Sequence, residues 1–362
     1  MNLPELKDRV LLNIIEHGAG IVLNEVYNIA ESPNDLLHWP KEKWLHYFSL
    51  QKVNRVFKLM LECRIDDEVE YILENNIGVV SIDDDSYPNQ LREIYNPPLL
   101  LYYLGNLPPN DAVHISIVGA RDCTLAGRCN AEEIGEFLAD QGVSVVSGLA
   151  RGIDSSAHKG AIKSENGLTI AIIASGIAEF LKPKLYDFHQ QIVSRGAIVS
   201  EFPVKSAAFK KNFPLRNRII TGLSIATVIV EAKERSGSMI SARLANEQGR
   251  EVFALPGPIN SEMSSGTNSL IRSGAILVSK PSDILADLNL AWSEKEIDSM
   301  TLDEEYLLSH LTKSPKVMDD IIYKSQKPLS WILKILDSLE QKKAIQRVPG
   351  NQIIKTIDSS KI

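Results

Sequence analysis

From His114 onward, short β-branched runs that end in Gly or Ser alternate with stretches of helical periodicity. His114-Ile-Ser-Ile-Val-Gly119 and Val143-Ser-Val-Val-Ser-Gly148 flank a helical run, which predicts a strand–helix–strand unit with a loop at each strand end. The alternation continues with strands over Leu168–Ala174, Ala197–Glu201, Thr227–Val230, Glu251–Ala254 and Ala275–Leu277. Helices are expected near Tyr186–Ser194, from Pro214, over Ser238–Gln248 and over Asn268–Ser273. Such alternation builds an α/β fold with a doubly wound, mostly parallel sheet covered on both faces. Ligands of these sheets sit outside the carboxyl ends of the strands, so Gly119-Ala120-Arg121 and Ser147 to Gly152 should face one crevice.

The flanks read differently. Residues 1–75 are expected to be helical, with His17-Gly18-Ala19-Gly20 interrupting the first apolar stripe. That Gly-x-Gly is either a turn between packing helices or a hairpin whose amides approach a phosphate. Trp39, Trp44, Tyr47 and Phe48 have the spacing of a small core, with a base-stacking surface as the other reading. Asp83-Asp84-Asp85 lacks the regular spacing and distal Glu of a metal loop and reads as a solvated turn. Leu99–Gly105 is an expected strand. The main α/β block then occupies 76–288 and an acidic linker 289–303. Over 304–357, helices at Glu304–Leu311, Val317–Tyr323 and Leu329–Gln341 precede strands at Ala344–Val348 and Gln352–Lys355, the order of a winged helix.

A length of 362 residues fits two or three domains, and 44% hydrophobic with 23% charged residues is ordinary for a globular chain. Cys63, Cys123 and Cys129 offer neither CxxC spacing nor an even set, so no disulfide framework or metal site is expected. The N-terminus lacks a signal-peptide pattern and no apolar run is long enough to cross a bilayer, so a cytoplasmic protein with no membrane partner is expected. A net charge of -7 argues against blanket affinity for polyanions, so local charge must decide.

Enzymatic readings find little support. A dinucleotide site needs Gly-x-Gly-x-x-Gly after the first strand, where Gly119-Ala120-Arg121-Asp122 stands instead. No Walker A lysine loop is present. Ser147, Asp154 and His158 suggest a hydrolytic triad, but Val146-Ser147-Gly148 is not a nucleophile elbow. Asp154 and His158, four apart, are expected to pair structurally on one helix face. No catalytic residue and no cofactor are therefore assigned.

Anion binding fits better. Gly119, Ser147, Gly148 and Gly152 let amides approach an anion at helix N-termini, and Arg121 and Arg151 add a cation to each loop. Residues 182–218 hold eight basic against two acidic side chains, and the run ends in Phe213-Pro-Leu-Arg216-Asn217-Arg218. Arg-Asn-Arg at a helix start suits phosphodiester oxygens and base edges. Ser236-Gly237-Ser238 repeats the small-residue pattern after another strand, and a groove this long suits a polyanion more than a mononucleotide.

With these residues in hand, the chain resembles the DNA-processing protein A (DprA/Smf) family. The resemblance is carried by Ile117-Val-Gly-Ala-Arg121, Ser147-Gly-Leu-Ala-Arg-Gly-Ile-Asp154 with His158, Ser200-Glu-Phe-Pro203, Phe213–Ser224, Glu231-Ala232 with Ser236-Gly-Ser238, Ala254-Leu-Pro-Gly257 and Gly274-Ala275. It implies an extended Rossmann-like domain between a small helical, SAM-like N-terminal domain and a C-terminal winged helix. It also implies sequence-independent binding of single-stranded DNA without catalysis. The family's protection of incoming DNA, loading of the RecA recombinase in natural transformation and homodimeric state are expected with it. By matching position, Arg121, Ser147, Gly148, Arg216, Asn217, Arg218 and Ser236 to Ser238 become the DNA contacts. The family's usual Gly-Ser-Gly-Ile-Asp with a following Tyr-Pro is replaced by Ala174-Ser-Gly-Ile-Ala-Glu179 and the run to Tyr186, in which Lys184 is a natural phosphate ligand. The alternative is a nucleotide-processing enzyme resembling the nucleoside-monophosphate phosphoribohydrolases, whose Pro-Gly-Gly-x-Gly-Thr-x-x-Glu loop is absent here.

Overall fold

The structure, a computed structural model, describes residues 2–165, 167–181, 186–292, 301–312, 314–342, 344–348, 350 and 352–355. Two compact units divide the chain, Met1–Trp292 and Ser293–Ile362.

The first unit opens with α1 (Leu3–Ala19), α2 (Asn24–Tyr27), α3 (Pro33–Leu37), α4 (Lys41–Tyr47), α5 (Leu50–Glu62) and α6 (Ile65–Glu74). Asn2 caps α1 by accepting from the Glu5 amide at 3.0 Å, and Gly20 ends it in the left-handed conformation at φ 64°. The interruption expected at His17–Gly20 falls on its last residue, Gly20, and His17, Gly18 and Ala19 remain in the helix. Gly18 stays helical because α5 packs on it: a Cβ there would stand 2.8 Å from Leu59 Cδ1. These glycines thus serve helix packing and a C-cap, and form no phosphate hairpin. Trp39, Trp44 and Phe48 are buried with Leu36, Val53 and Val56 as a small core.

The chain then enters the sheet through β1 (Gly78–Ser81), α7 (Asn89–Arg92) and β2 (Leu100–Gly105). The turn after β1 is more than solvated: Asp83 Oδ2 lies 2.7 Å from Arg9 Nη1 and accepts from the Tyr27 hydroxyl at 2.5 Å, tying it to the N-terminal helices. Next come β3 (His114–Val118), α8 (Leu125–Asp140), β4 (Ser144–Ser147), α9 (Ile153–Lys163), β5 (Thr169–Ile172), a 3-10 turn (Ile177–Leu181) and α10 (Tyr186–Ser194). They are followed by β6 (Gly196–Ser200), α11 (Asn212–Leu223), β7 (Ala226–Ile229), α12 (Gly237–Glu247), β8 (Glu251–Ala254), α13 (Glu262–Arg272), β9 (Ile276–Leu277) and α14 (Pro281–Asp287). The expected strands and helices are present with ends shifted by a residue or so, except that α13 begins at Glu262 rather than Asn268.

These strands form one nine-stranded sheet in the order β1-β2-β6-β5-β4-β3-β7-β8-β9. Pairing is parallel from β6 to β9, while β2 runs antiparallel to both β1 and β6. Strands β3 to β7 are buried along their whole length, as expected where helices cover both faces. One face packs Ile115, Ile117, Val145 and Val228 against α8, α9 and α14; the other packs Val118, Val146, Ile170 and Ile229 against α11 and α12. Strand order reverses between β3 and β7, so their carboxyl ends open a crevice at the switch point.

The second unit has α15 (Leu302–Ser309), β10 (Lys316–Val317), α16 (Met318–Ser325), α17 (Leu329–Gln341), β11 (Ile345–Val348) and β12 (Gln352–Lys355). Its three strands pair antiparallel in the order β10-β12-β11, one strand more than the sequence pattern suggested. Leu307, Leu308, Ile332, Leu336, Leu339 and Ile353 form its core. Glu304 closes a capping box with Thr301 and also accepts from Ser338 Oγ at 2.7 Å. Among the described residues no helix is long and apolar enough to cross a membrane.

Candidate functional site

The switch-point crevice is a cavity of about 400 Å³ bordered by Gly119, Ala120 and Arg121 after β3, by Phe213, Arg216 and Asn217 of α11, and by Ser236, Gly237 and Ser238 at the start of α12. A second cavity of about 300 Å³ lies outside β4 and β5, bordered by Gly148, Leu149, Arg151, Ser175 and Phe180. Both cavities share Arg121, Ala150, Phe213 and Arg216, which makes them two ends of one groove.

Backbone conformation explains the small residues. Gly119 has no room for a side chain, since a Cβ would stand 2.6 Å from Ile153. Gly152 adopts φ 89°, and a Cβ there would collide with the carbonyls of Ala120 and Arg121, so the β3 and β4 loops touch through this residue. Leu149 is left-handed at φ 55°, an uncommon state for a Leu, within the same loop. Gly237 is different: nothing lies within 4 Å of its Cβ position, and with Ser236 and Ser238 it borders the cavity at the N-terminus of α12. Ser236 occupies the N-cap without a side-chain capping bond, and its buried Oγ has no partner among the described residues.

The cations differ in kind. Arg121 is exposed, and its guanidinium lies over the Phe213 ring at 4.8 Å from the centroid. Arg216 is 4% exposed; Nη1 donates to the Ile172 carbonyl at 3.1 Å while Nε has no partner among the described residues. Burial lowers its pKa to about 10, against the pull of Asp154, so it is still a cation at neutral pH. It packs against Gly148, whose missing Cβ makes the space. Arg151 is exposed and paired with Asp122.

Two residues expected at the site are placed elsewhere. Ser147 is fully buried, and its hydroxyl donates to the Ile117 carbonyl at 2.6 Å, tying β4 to β3. Arg218 leaves the groove entirely: with 12% side-chain exposure it meets Glu201 Oε2 at 2.5 Å. The Glu201 carbonyl in turn accepts from Asn13 Nδ2 at 2.9 Å and lies 3.0 Å from His17 Nε2, so Arg218 belongs to the packing of α1 on the sheet. Lys184 lies outside the described residues, as does Lys182. The basic run is split in the same way, since Lys205 faces Glu68 at 3.9 Å and Arg195 bonds the Glu165 carbonyl.

No hydrolytic triad assembles. His158 is fully buried with Nδ1 2.6 Å from Thr169 Oγ1. That hydroxyl donates its proton to the Val145 carbonyl at 2.9 Å, so it must accept from Nδ1–H. Asp154, the expected partner of His158, sits beside the backbone amides of Ala150, Gly119 and Gly148 instead. Burial nevertheless holds its pKa above the ordinary value.

Some groove residues escaped sequence reasoning. Phe213 stood inside a quoted motif, yet only the fold shows it as the ring between two arginines, with Arg216 6.0 Å from its centroid. Lys233, paired with Glu262 at 2.5 Å, and Met263 border the larger cavity. Lys233 lies close before Ser236, which was a usable signal; Met263 arrives from α13 and had none. Phe180 and Ser175 border the smaller cavity.

Fold and loops together define a Rossmann-like protein with a crevice lined by arginines and small residues at the switch point of its sheet. Residues 78–289 match the family model described as DNA recombination-mediator protein A. The chain is 35% identical over 302 residues to Protein Smf of Escherichia coli strain K12, covering 80% of each. It is 41% identical over 207 residues to DNA processing protein DprA of Streptococcus pneumoniae, covering 57% of this chain and 73% of the relative. The X-ray structure of DprA from Streptococcus pneumoniae superposes with a TM-score of 0.64 at 31% identity, over 80% of this chain and 98% of the other. DNA processing protein A from Helicobacter pylori, solved in work on its single-stranded DNA binding mode, gives a TM-score of 0.51 at 27% identity over 59% and 95%. The chain belongs to the DNA recombination-mediator protein A family, the DprA/Smf proteins.

Proposed function

We propose that the groove binds single-stranded DNA without sequence preference, through its backbone. The observation that carries this is the meeting of Arg121, Phe213, Arg216 and the open α12 N-terminus along two joined cavities. Phosphates would take the amides of Gly237 and Ser238, the Ser236 hydroxyl and the guanidinium groups of Arg121 and Arg216, with Gly119 and Asn217 at the edge. Arg151 and Gly148 extend the path into the smaller cavity. The half-exposed Phe213 ring offers a face for a base, which every base can use. Ser147 and Arg218 act at a distance by holding β4 and α11. The Helicobacter pylori relative's described binding mode supports the ligand assignment.

The protein acts without catalysis in this reading, consistent with the structural duties of Ser147, Asp154 and His158. A homodimer that delivers the strand to a RecA-type recombinase fits the family's description as a recombination mediator. The division into residues 1–75, 76–288 and 304–357, with the last a winged helix and the protein cytoplasmic, completes the proposal.

The test is fluorescence anisotropy with an oligothymidine strand and a duplex of the same length at two salt concentrations. The strand should bind more tightly, and its affinity should fall with salt as bound phosphates release counterions. Equal affinity for strand and duplex, or affinity independent of salt, overturns the reading.

A further inference from the structure

The carboxylate of Asp154 lies against the loop that follows β4. Gly148 and Ala150 flank left-handed Leu149, and amides around such a residue form a concave nest for an anion. Both amides, with that of Gly119 from the neighbouring loop, favour the ionised carboxylate of Asp154 against its burial, and Asp154 is 6% exposed in the first turn of α9. On its other side Asp154 faces Arg216: a Cβ on Gly148 would stand 2.6 Å from Asp154 Oδ2 and collide with the Arg216 guanidinium. One internal anion therefore joins the β3 loop, the β4 loop and Arg216, the buried groove cation of α11.

We propose that Asp154 is a positioning residue: it fills the nest of the β3 and β4 loops and holds Arg216 at the base of the groove. DNA phosphates are thereby left to Arg121, Arg216 Nε and the start of α12. This deepens the DNA-binding reading and rests on it. It also explains why a Leu is kept in the left-handed region, since the amides on either side of it are fixed by the same carboxylate. A repelling charge beside a phosphate site would otherwise be a liability, and that is the competing account.

Asp154→Asn in the full chain separates the two accounts. If Asp154 merely repels, removing its charge tightens binding of oligothymidine. If it positions, binding weakens about tenfold, the size of one charge-assisted contact. The slope of log affinity against log salt then falls by about 0.7, the loss of one phosphate contact on a single strand. Tighter binding, or affinity and slope both unchanged in a folded variant, overturns the proposal.

Amide-resolved hydrogen exchange on the wild-type chain is a second test, which does not depend on the variant folding. Gly119, Gly148 and Ala150 should be protected in the free protein and equally so with saturating oligothymidine. Protection that appears only with oligothymidine would mean that phosphates, not Asp154, fill the nest. Should oligothymidine fail to bind the wild type, the DNA reading itself falls, whereas rapid exchange at these amides in the free protein is a failure of the Asp154 assignment alone.

Discussion

Arg121, in the loop after β3, lies over Phe213, at the start of α11, with its guanidinium carbon 4.8 Å from the ring centroid. This contact spans the place where the two cavities join, and it covers the ring face on which a base would stack. Arg121 must shift from the ring toward a phosphate for both groups to be used at once. Arg121→Ala should weaken oligothymidine binding by about 1–3 kcal/mol through loss of a charge-assisted contact. Phe213→Ala should cost about 1–3 kcal/mol through lost stacking, and the loss should shrink on an abasic strand. Anisotropy titrations with both strands check the pair; an equal loss on the abasic strand would remove Phe213 as a stacking platform.

Arg218→Ala should behave as a stability variant. Its guanidinium and Glu201 are 12% and 4% exposed, so removing one partner strands the other charge in the interior. The expected loss is on the order of 3 kcal/mol in urea unfolding. The salt slope of oligothymidine binding by the folded fraction should not change, and a reduced slope would return Arg218 to the groove.

Two glycines make a contrasting pair. Gly152→Ala places a side chain at φ 89° against two carbonyls and should cost on the order of 2 kcal/mol or more. Gly237→Ala meets nothing within 4 Å and should leave stability within about 0.5 kcal/mol, yet weaken DNA binding by covering the α12 amides. Melting curves and titrations of both variants test this, and normal DNA affinity in Gly237→Ala would argue against phosphate contact there.

Stability should fall as the solution is acidified from about pH 6.5. Burial lowers the pKa of His158 to about 3, with Arg216 adding to the shift, and that of His114 to about 4. Both rings are neutral in the folded protein at pH values where the unfolded chain, near 6.5, binds protons. The unfolded state therefore gains protons first, and each ring removes up to about 1.4 kcal/mol per pH unit below that point. Urea midpoints between pH 6.5 and 5.5 read this fall against the opposing proton uptake of Glu16, whose burial raises its pKa to about 7 in the folded chain, so the difference between wild type and a His114 variant isolates the ring. His114→Gln should flatten the slope, and an unchanged slope would show that the ring is protonated when folded.

Local sequence was enough for the parts that depend on neighbours in the chain. The β-branched runs of β3 to β8 specified a parallel sheet because strands covered on both faces carry near-continuous rather than alternating apolar side chains. Gly119, Gly148 and Gly152 marked the loops because the Ile153 side chain, the Arg216 guanidinium and the Ala120 and Arg121 carbonyls leave no room for a Cβ at them. Arg121 and Arg216 were recognisable beside those loops. What required the tertiary structure was direction. Arg216 and Arg218 look like one cationic unit in the sequence, but two residues along a helix turn a side chain about 200°, so one lies in the groove and the other under α1. Asp154 and His158 share a helix face, yet Asp154 sits beside loop amides and His158 Nδ1 meets Thr169, so the two do not pair. Such partners come from distant elements, and their positions are settled only when the sheet and its helices pack together.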